Sequence, residues 1–178
     1  MRFERKTRQG DRKVREAQMV DVTLICVGKM KEKFYQEAAA EYVKRLGGYC
    51  KLSIVEIPEQ RLSKNPSLGE IQGALEKEGD AIRSKIPPSS SVVALAIEGR
   101  MRSSEELAQM ISDWARGPAK HLVFVIGGSY GLHPSVKAGA WCSLSMSPMT
   151  FPHHLARVML LEQIYRAFKI QEGADYHK

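Results

Sequence analysis

Apolar and polar positions follow one another in blocks, and the period changes from block to block. Asp21–Gly28, DVTLICVG, is a near-continuous apolar run closed by a glycine, which predicts a buried strand. Glu32–Leu46 repeats its apolar positions at helical spacing and stops at Gly47-Gly48, which predicts a helix with glycines in its C′ region. Lys51–Ile57, KLSIVEI, alternates with the period of a strand. Pro58–Ser67 is polar and predicts a loop, Leu68–Lys85 a helix with its charges outward, and IPPSSS a second loop. Ser91–Ile97 predicts a third strand, and Ser103-x-x-Glu106 is a capping box ahead of the helix LAQMISDWA. Leu122–Ile126 predicts a fourth strand, Pro134 the first turn of a short helix, and Cys142–Ser147 a short fifth strand. Pro152 opens a last helix that runs to about Ile170.

Strands that alternate with helices define an α/β fold with a mostly parallel sheet and helices on both faces. Residues 19–178 read as a single domain. Residues 1–18, MRFERKTRQGDRKVREAQ, read as a basic mobile extension with almost nothing to give to a core. The last helix carries two apolar stripes. At about 100° per residue, Leu155, Val158, Met159, Leu161 and Tyr165 form one, and Leu160 and Ile164 a second, nearly opposite. A helix apolar on two sides needs cover on two sides, which predicts a homodimer, with intramolecular cover as the alternative. Glu162 falls in the first stripe, where a carboxylate needs a partner, and Arg166 one turn on is the candidate. A structural ion pair and a functional role are equally open for it.

Charge and cysteine usage narrow the function classes. The net charge of +7 favours an anionic partner, nucleic acid first, although much of the excess sits in residues 1–18. No run approaches the ~20 apolar residues of a membrane span, and no secretory leader is visible. Cys26, Cys50 and Cys142 are far apart with no C-x-x-C pair, so neither a zinc site nor a disulfide framework is expected, and a reducing, cytoplasmic setting fits. The histidines at 121, 133, 153, 154 and 177 show no metal spacing, and no metal is expected.

Three stretches stand out chemically. Phe124–Leu132, FVIGGSYGL, ends an apolar run in a glycine-rich turn. Its G-G-x-x-G spacing is not the dinucleotide fingerprint, it follows the fourth strand rather than the first, and no Gly-Lys-Ser/Thr ending marks a phosphate loop. What remains is a turn whose backbone needs positive φ or a close approach. Ser143–Phe151, SLSMSPMTF, links a strand to the last helix and leaves Met146, Met149 and Phe151 in need of cover. The tail EGADYHK brings together Tyr176, His177 and Lys178, a set able to stack on a base and hold phosphate.

In this order, FVIGGSYGL, LSMSPMTFPHHLARVMLLEQIYRAFKI and the terminal YHK resemble the RlmH family, a small member of the SPOUT class of RNA methyltransferases. The opening VTLICVGKMKEKFYQEAAAEYVKRLG is similar to the start of that family, so the resemblance spans about residues 19–178. It implies a SPOUT-type fold with a C-terminal trefoil knot, a homodimer, and S-adenosylmethionine as methyl donor. The implied substrate is N3 of a pseudouridine in large-subunit ribosomal RNA, in the assembled ribosome. Carried over residue by residue, the resemblance implies a donor pocket lined by Leu95, Gly127, Met146, Ser147, Pro148, Met149, Thr150 and Phe151. Glu162 or His177 would help remove the N3 proton, and His153, Arg157, Arg166, Tyr176 and Lys178 would face RNA. A Gly127→Val change is then expected to abolish donor binding before folding. Two rivals stand beside this reading. A non-catalytic basic RNA-binding module predicts no binding of S-adenosylmethionine, and a nucleotide-dependent oxidoreductase predicts binding of NAD.

Overall fold

The computed structural model describes residues 19–177; the extension 1–18 and Lys178 lie outside the described residues. Among the described residues, strands and helices alternate as β1 (Val20–Val27), α1 (Lys33–Leu46), β2 (Cys50–Ile57), α2 (Leu68–Lys85), β3 (Ser90–Met101), α3 (Ser104–Ala115), β4 (His121–Ile126), α4 (Pro134–Ala138), β5 (Cys142–Ser145) and α5 (His153–Gln171). A short 3₁₀ turn, Asp175–His177, follows. The five strands form one sheet in the order β2-β1-β4-β3-β5. Each neighbouring pair is parallel, so the sheet is wholly rather than mostly parallel.

Period-two alternation sorts the core into two layers. Val22, Leu24 and Cys26 of β1, with Leu122, Phe124 and Ile126 of β4, pack against one set of helices, α1, α3 and α5. Ile25 and Val27 of β1, with Val123 and Val125 of β4, face the other way, onto Ile82 of α2 and Val136 of α4. Burial on both faces is why these strands read as unbroken apolar runs. Helix starts follow local chemistry. Ser103 and Glu106 make the expected reciprocal cap on α3, and Ser67 and Glu70 make a second one on α2. α1 stops at Gly47, but in the right-handed conformation (φ −58°), without the left-handed turn its glycine pair suggested.

Two strand ends differ from the sequence reading, and both differences shape the site. β3 continues to Met101 because the chain loops out after Leu95 and rejoins at Arg100, so that Leu144 of β5 pairs with both. Gly99 makes this possible, since a Cβ there would lie 2.7 Å from the Leu144 backbone. β5 stops at Ser145 rather than Ser147. The Ser145 hydroxyl donates to the Ser147 carbonyl, and the Met149 N–H donates to the Ser147 hydroxyl, turning the chain out of the sheet.

α5 also rearranges the expected stripes. Its core face is Leu160, Leu161, Ile164, Ala167 and Phe168, so Leu161 belongs with Leu160 and Ile164. Val158 and Tyr165 pack at the edge of that core, while Leu155 and Met159 remain half-buried on the opposite side. No helix among the described residues is long and apolar enough to cross a membrane.

Candidate active site

The carboxyl ends of β3, β4 and β5 surround a cavity of about 810 Å³. That volume lies within the ~300–1,000 Å³ range usual for small-molecule sites. One wall is the glycine turn from Gly127 to Leu132, and another the loop from Met146 to Phe151 with Pro152, His153 and Ala156 at the start of α5. Leu95 and the looped-out Ala96, Ile97 and Glu98 complete it. Of the residues implied as pocket lining, Leu95, Gly127, Met146, Ser147, Met149, Thr150 and Phe151 stand there, whereas Pro148 is exposed and does not line the cavity. Met149 stays 69% exposed at the rim, together with Ile97 and Tyr130. Lys137, the cation in the lining, is paired with Glu98.

The turn is built by its own backbone. A Cβ on Gly127 would overlap the Gly131 carbonyl, so the close approach that requires glycine is made by Gly131. Gly131 has φ +81°, and its N–H donates to the Gly128 carbonyl at 3.0 Å. Gly127 therefore has a reason for lacking a side chain within the turn itself, beside its expected place at the donor. Glu59, in the loop after β2, holds the turn from outside. Its Oε1 accepts from the Ser129 N–H (3.2 Å) and hydroxyl (2.8 Å), and a Cβ on Gly128 would press on the same oxygen at 3.1 Å. Partial burial works against ionisation of Glu59, but the two Ser129 bonds and the nearby His153 and His154 hold its carboxyl below the usual range.

His153, read as RNA-facing, stands in the lining of the cavity. Its Nε2 is buried without a hydrogen-bond partner among the described residues, as is that of His154, and the two rings lie 4.1 Å apart. Burial and the charge of His154 push the His153 pKa down, against the pull of Glu59. Arg157, also read as RNA-facing, is only 3% exposed. Its guanidinium donates to Glu56 (2.6 Å) and to the Gly28 carbonyl (2.9 Å), tying α5 to the ends of β1 and β2. The same interior raises the Cys26 thiol pKa to about 12 through burial, so this cysteine is a core residue.

The predicted Glu162–Arg166 pair is present, with Arg166 Nη2 2.7 Å from Glu162 Oε1. Tyr176 joins it: its hydroxyl donates to Glu162 (3.4 Å), and Arg166 lies over its ring at 4.8 Å. Burial and the Glu162 charge raise the Tyr176 pKa. This cluster does not line the cavity. Glu162 is six residues beyond Ala156, or about 9 Å along the helix axis. The Glu59 bracket, the Glu98–Lys137 pair and the Tyr130 rim were not anticipated. No local spacing signals them, because each depends on how separate loops meet.

A parallel sheet with an apolar, glycine-walled cavity at its carboxyl edge is shared by several classes of nucleoside-binding enzyme. Residues 20–177 match the family described as "Predicted SPOUT methyltransferase", and the chain belongs to that family. Its role is accordingly that of a methyltransferase. Solved structures share the fold. The probable methyltransferase of Bordetella pertussis Tohama I superposes with a TM-score of 0.54 at 16% identity, over 87% of this chain and 98% of that one. The probable methylase family protein of Haemophilus influenzae Rd KW20 gives 0.51 at 12%, over 89% and 71%.

Proposed function

We propose that this methyltransferase uses S-adenosylmethionine and methylates N3 of a pseudouridine in large-subunit ribosomal RNA, as enzymes of the RlmH type do. In this reading it acts on the assembled ribosome as a cytoplasmic homodimer, with the segment after β5 threaded as a trefoil knot. The observation that carries the donor assignment is the cavity lining. It offers backbone and apolar side chains to a neutral heterocycle, and its one cation is already paired.

When bound, the donor supplies a methyl group activated by a sulfonium, so the protein mainly positions the reactants. The Gly127–Leu132 turn and the Met146–Phe151 loop would hold the adenosine part. Burial disfavours the charged form of His153 at the cavity wall. The N3 proton must leave as the N–CH₃ bond forms, and Glu162 or His177 is assigned to receive it. Arg166, Tyr176 and Lys178 would orient RNA. In this reading a second copy seated on the Leu155–Met159 face brings its own Glu162 cluster to the cavity of the first.

Calorimetric titration tests the donor: S-adenosylmethionine should bind, and binding of NAD in its place would overturn the reading. Glu162→Gln should lower the methyl-transfer rate on ribosomes. An unchanged rate removes Glu162 from the mechanism.

A further inference from the structure

The loop between β1 and α1 reads GKMKEKF from Gly28 to Phe34. It leaves the sheet at the edge where the cavity lies, since Cys26 of β1 is in register with Ile126 of β4, a cavity residue. His153, which lines the cavity, sits directly over Gly28, with Nε2 3.0 Å from where a Cβ would stand. We propose that this loop is an RNA-docking lip for the methylation site, with Lys29, Lys31 and Lys33 on successive phosphates and Phe34 against a base. The inference rests on the RNA-methyltransferase reading above and extends the substrate contact beyond the cavity.

The lip is rigidly held. The Gly28 N–H donates to Ile57 O (2.8 Å), and Arg157 donates to the Gly28 carbonyl. The Met30 N–H donates to Glu56 (3.3 Å), Gln36 donates to the Met30 carbonyl (2.7 Å), and the Met30 side chain is buried. With Met30 turned inward, Lys29, Lys31 and Lys33 are all exposed. Lys29 and Lys31 stand in the loop and Lys33 at the first residue of α1, one charge at every second position. The acids nearby are engaged: Glu32 meets His154 at 3.1 Å, and Glu56 is held by Arg157. Lys33 has a loose, solvent-exposed pair with Glu37 at 3.7 Å, a kind worth little against phosphate. The Lys31 N–H helps hold the Glu32 carboxylate, and Lys29 stands near enough to Glu56 to lower its carboxyl pKa, which leaves both ammonium groups on the exposed side of the loop.

Phe34 gives the row its direction. It is 63% exposed in the first turn of α1, with its ring 4.3 Å from that of Tyr35. Burial would be the ordinary use of such a ring. Beside three cations it makes the combination that single-stranded nucleic acid favours, a charged track ending in a stacking face. Phosphate contacts of this kind fix register and orientation, while the choice of base is left to the cavity.

The test compares the Lys29→Gln/Lys31→Gln/Lys33→Gln protein with a control of equal charge loss, Lys51→Gln/Lys77→Gln/Lys85→Gln, whose exposed lysines lie at the start of β2 and on α2. Each is titrated with a pseudouridine-containing single-stranded RNA over a salt series, then assayed for methyl transfer to ribosomes. The lip variant should raise the KM for ribosomes about tenfold and reduce the salt slope of RNA binding by about 2, or ~0.7 per lost single-strand phosphate contact. Its melting temperature and donor affinity should not change. Phe34→Ala should weaken RNA binding about fivefold or more, the scale of one lost stack, without moving the slope. Equal effects of the lip and control variants, or an unchanged slope in the lip variant, would overturn the proposal alone. Failure of the unaltered protein to methylate ribosomes would overturn the functional reading and the lip with it.

Discussion

At the scale of single residues, a Cβ on Gly127 would overlap the Gly131 carbonyl. Gly127 stood out in FVIGGSYGL, but its neighbour in space is the Gly131 carbonyl, a contact no linear spacing displays. Gly127→Ala should therefore cost about 1–3 kcal/mol, as an overpacked site does. It should lower the melting temperature and donor affinity together. Donor binding lost at an unchanged melting temperature would show that the ligand, and not the turn, needs the glycine. His153 makes a pH prediction. Its folded pKa is depressed, mainly by burial, so its contribution to stability is complete above the ordinary imidazole value near 6.5. That contribution falls as pH drops toward the folded value, because the unfolded chain takes the proton first. Melting curves between about pH 7.5 and pH 5.5 should show the loss in the unaltered protein and a flatter dependence in His153→Asn. Equal slopes would exclude this histidine as the cause.

Elements were legible wherever burial or capping imposes a period. α2 starts at Leu68 and ends at Lys85 as its pattern indicates, and the Ser103–Glu106 box fixes the start of α3. The boundaries that were misread belong to the site. β3 appeared to end at Ile97 because the looped-out residues face a cavity, so their polarity follows no core rule. Arg157 reads as a surface cation by composition, yet it bridges Glu56 and Gly28, partners more than a hundred positions away. The β2–α2 loop is polar in sequence, and only its folded position reveals that Glu59 braces the glycine turn. Glu59→Ala should weaken donor binding about tenfold, since roughly 1.4 kcal/mol is a plausible loss for two bonds to a charged acceptor. Glu59→Gln, which can still accept from Ser129, should recover most of it. Calorimetry that finds Glu59→Ala equal to the unaltered protein would remove Glu59 from the positioning of the site.

At the scale of the whole molecule, the unsettled surface is the outer side of α5, where Leu155 and Met159 lie half-buried near the cavity and the Glu162 cluster. If a second copy covers this face, Leu155→Asp with Met159→Asp should give a monomer in sedimentation equilibrium that no longer methylates ribosomes. A dimer unaffected by both changes would place its interface elsewhere. The family and its methyl-transfer role rest on residues 20–177 as a unit, while donor, substrate and subunit arrangement are proposals. The measurement that reaches furthest is incubation of the protein with methyl-labelled S-adenosylmethionine and ribosomes from a strain lacking the enzyme, followed by mapping of the labelled nucleotide. The account predicts label at N3 of a pseudouridine in large-subunit RNA. Label on another nucleotide, or none while the donor demonstrably binds, would contradict it.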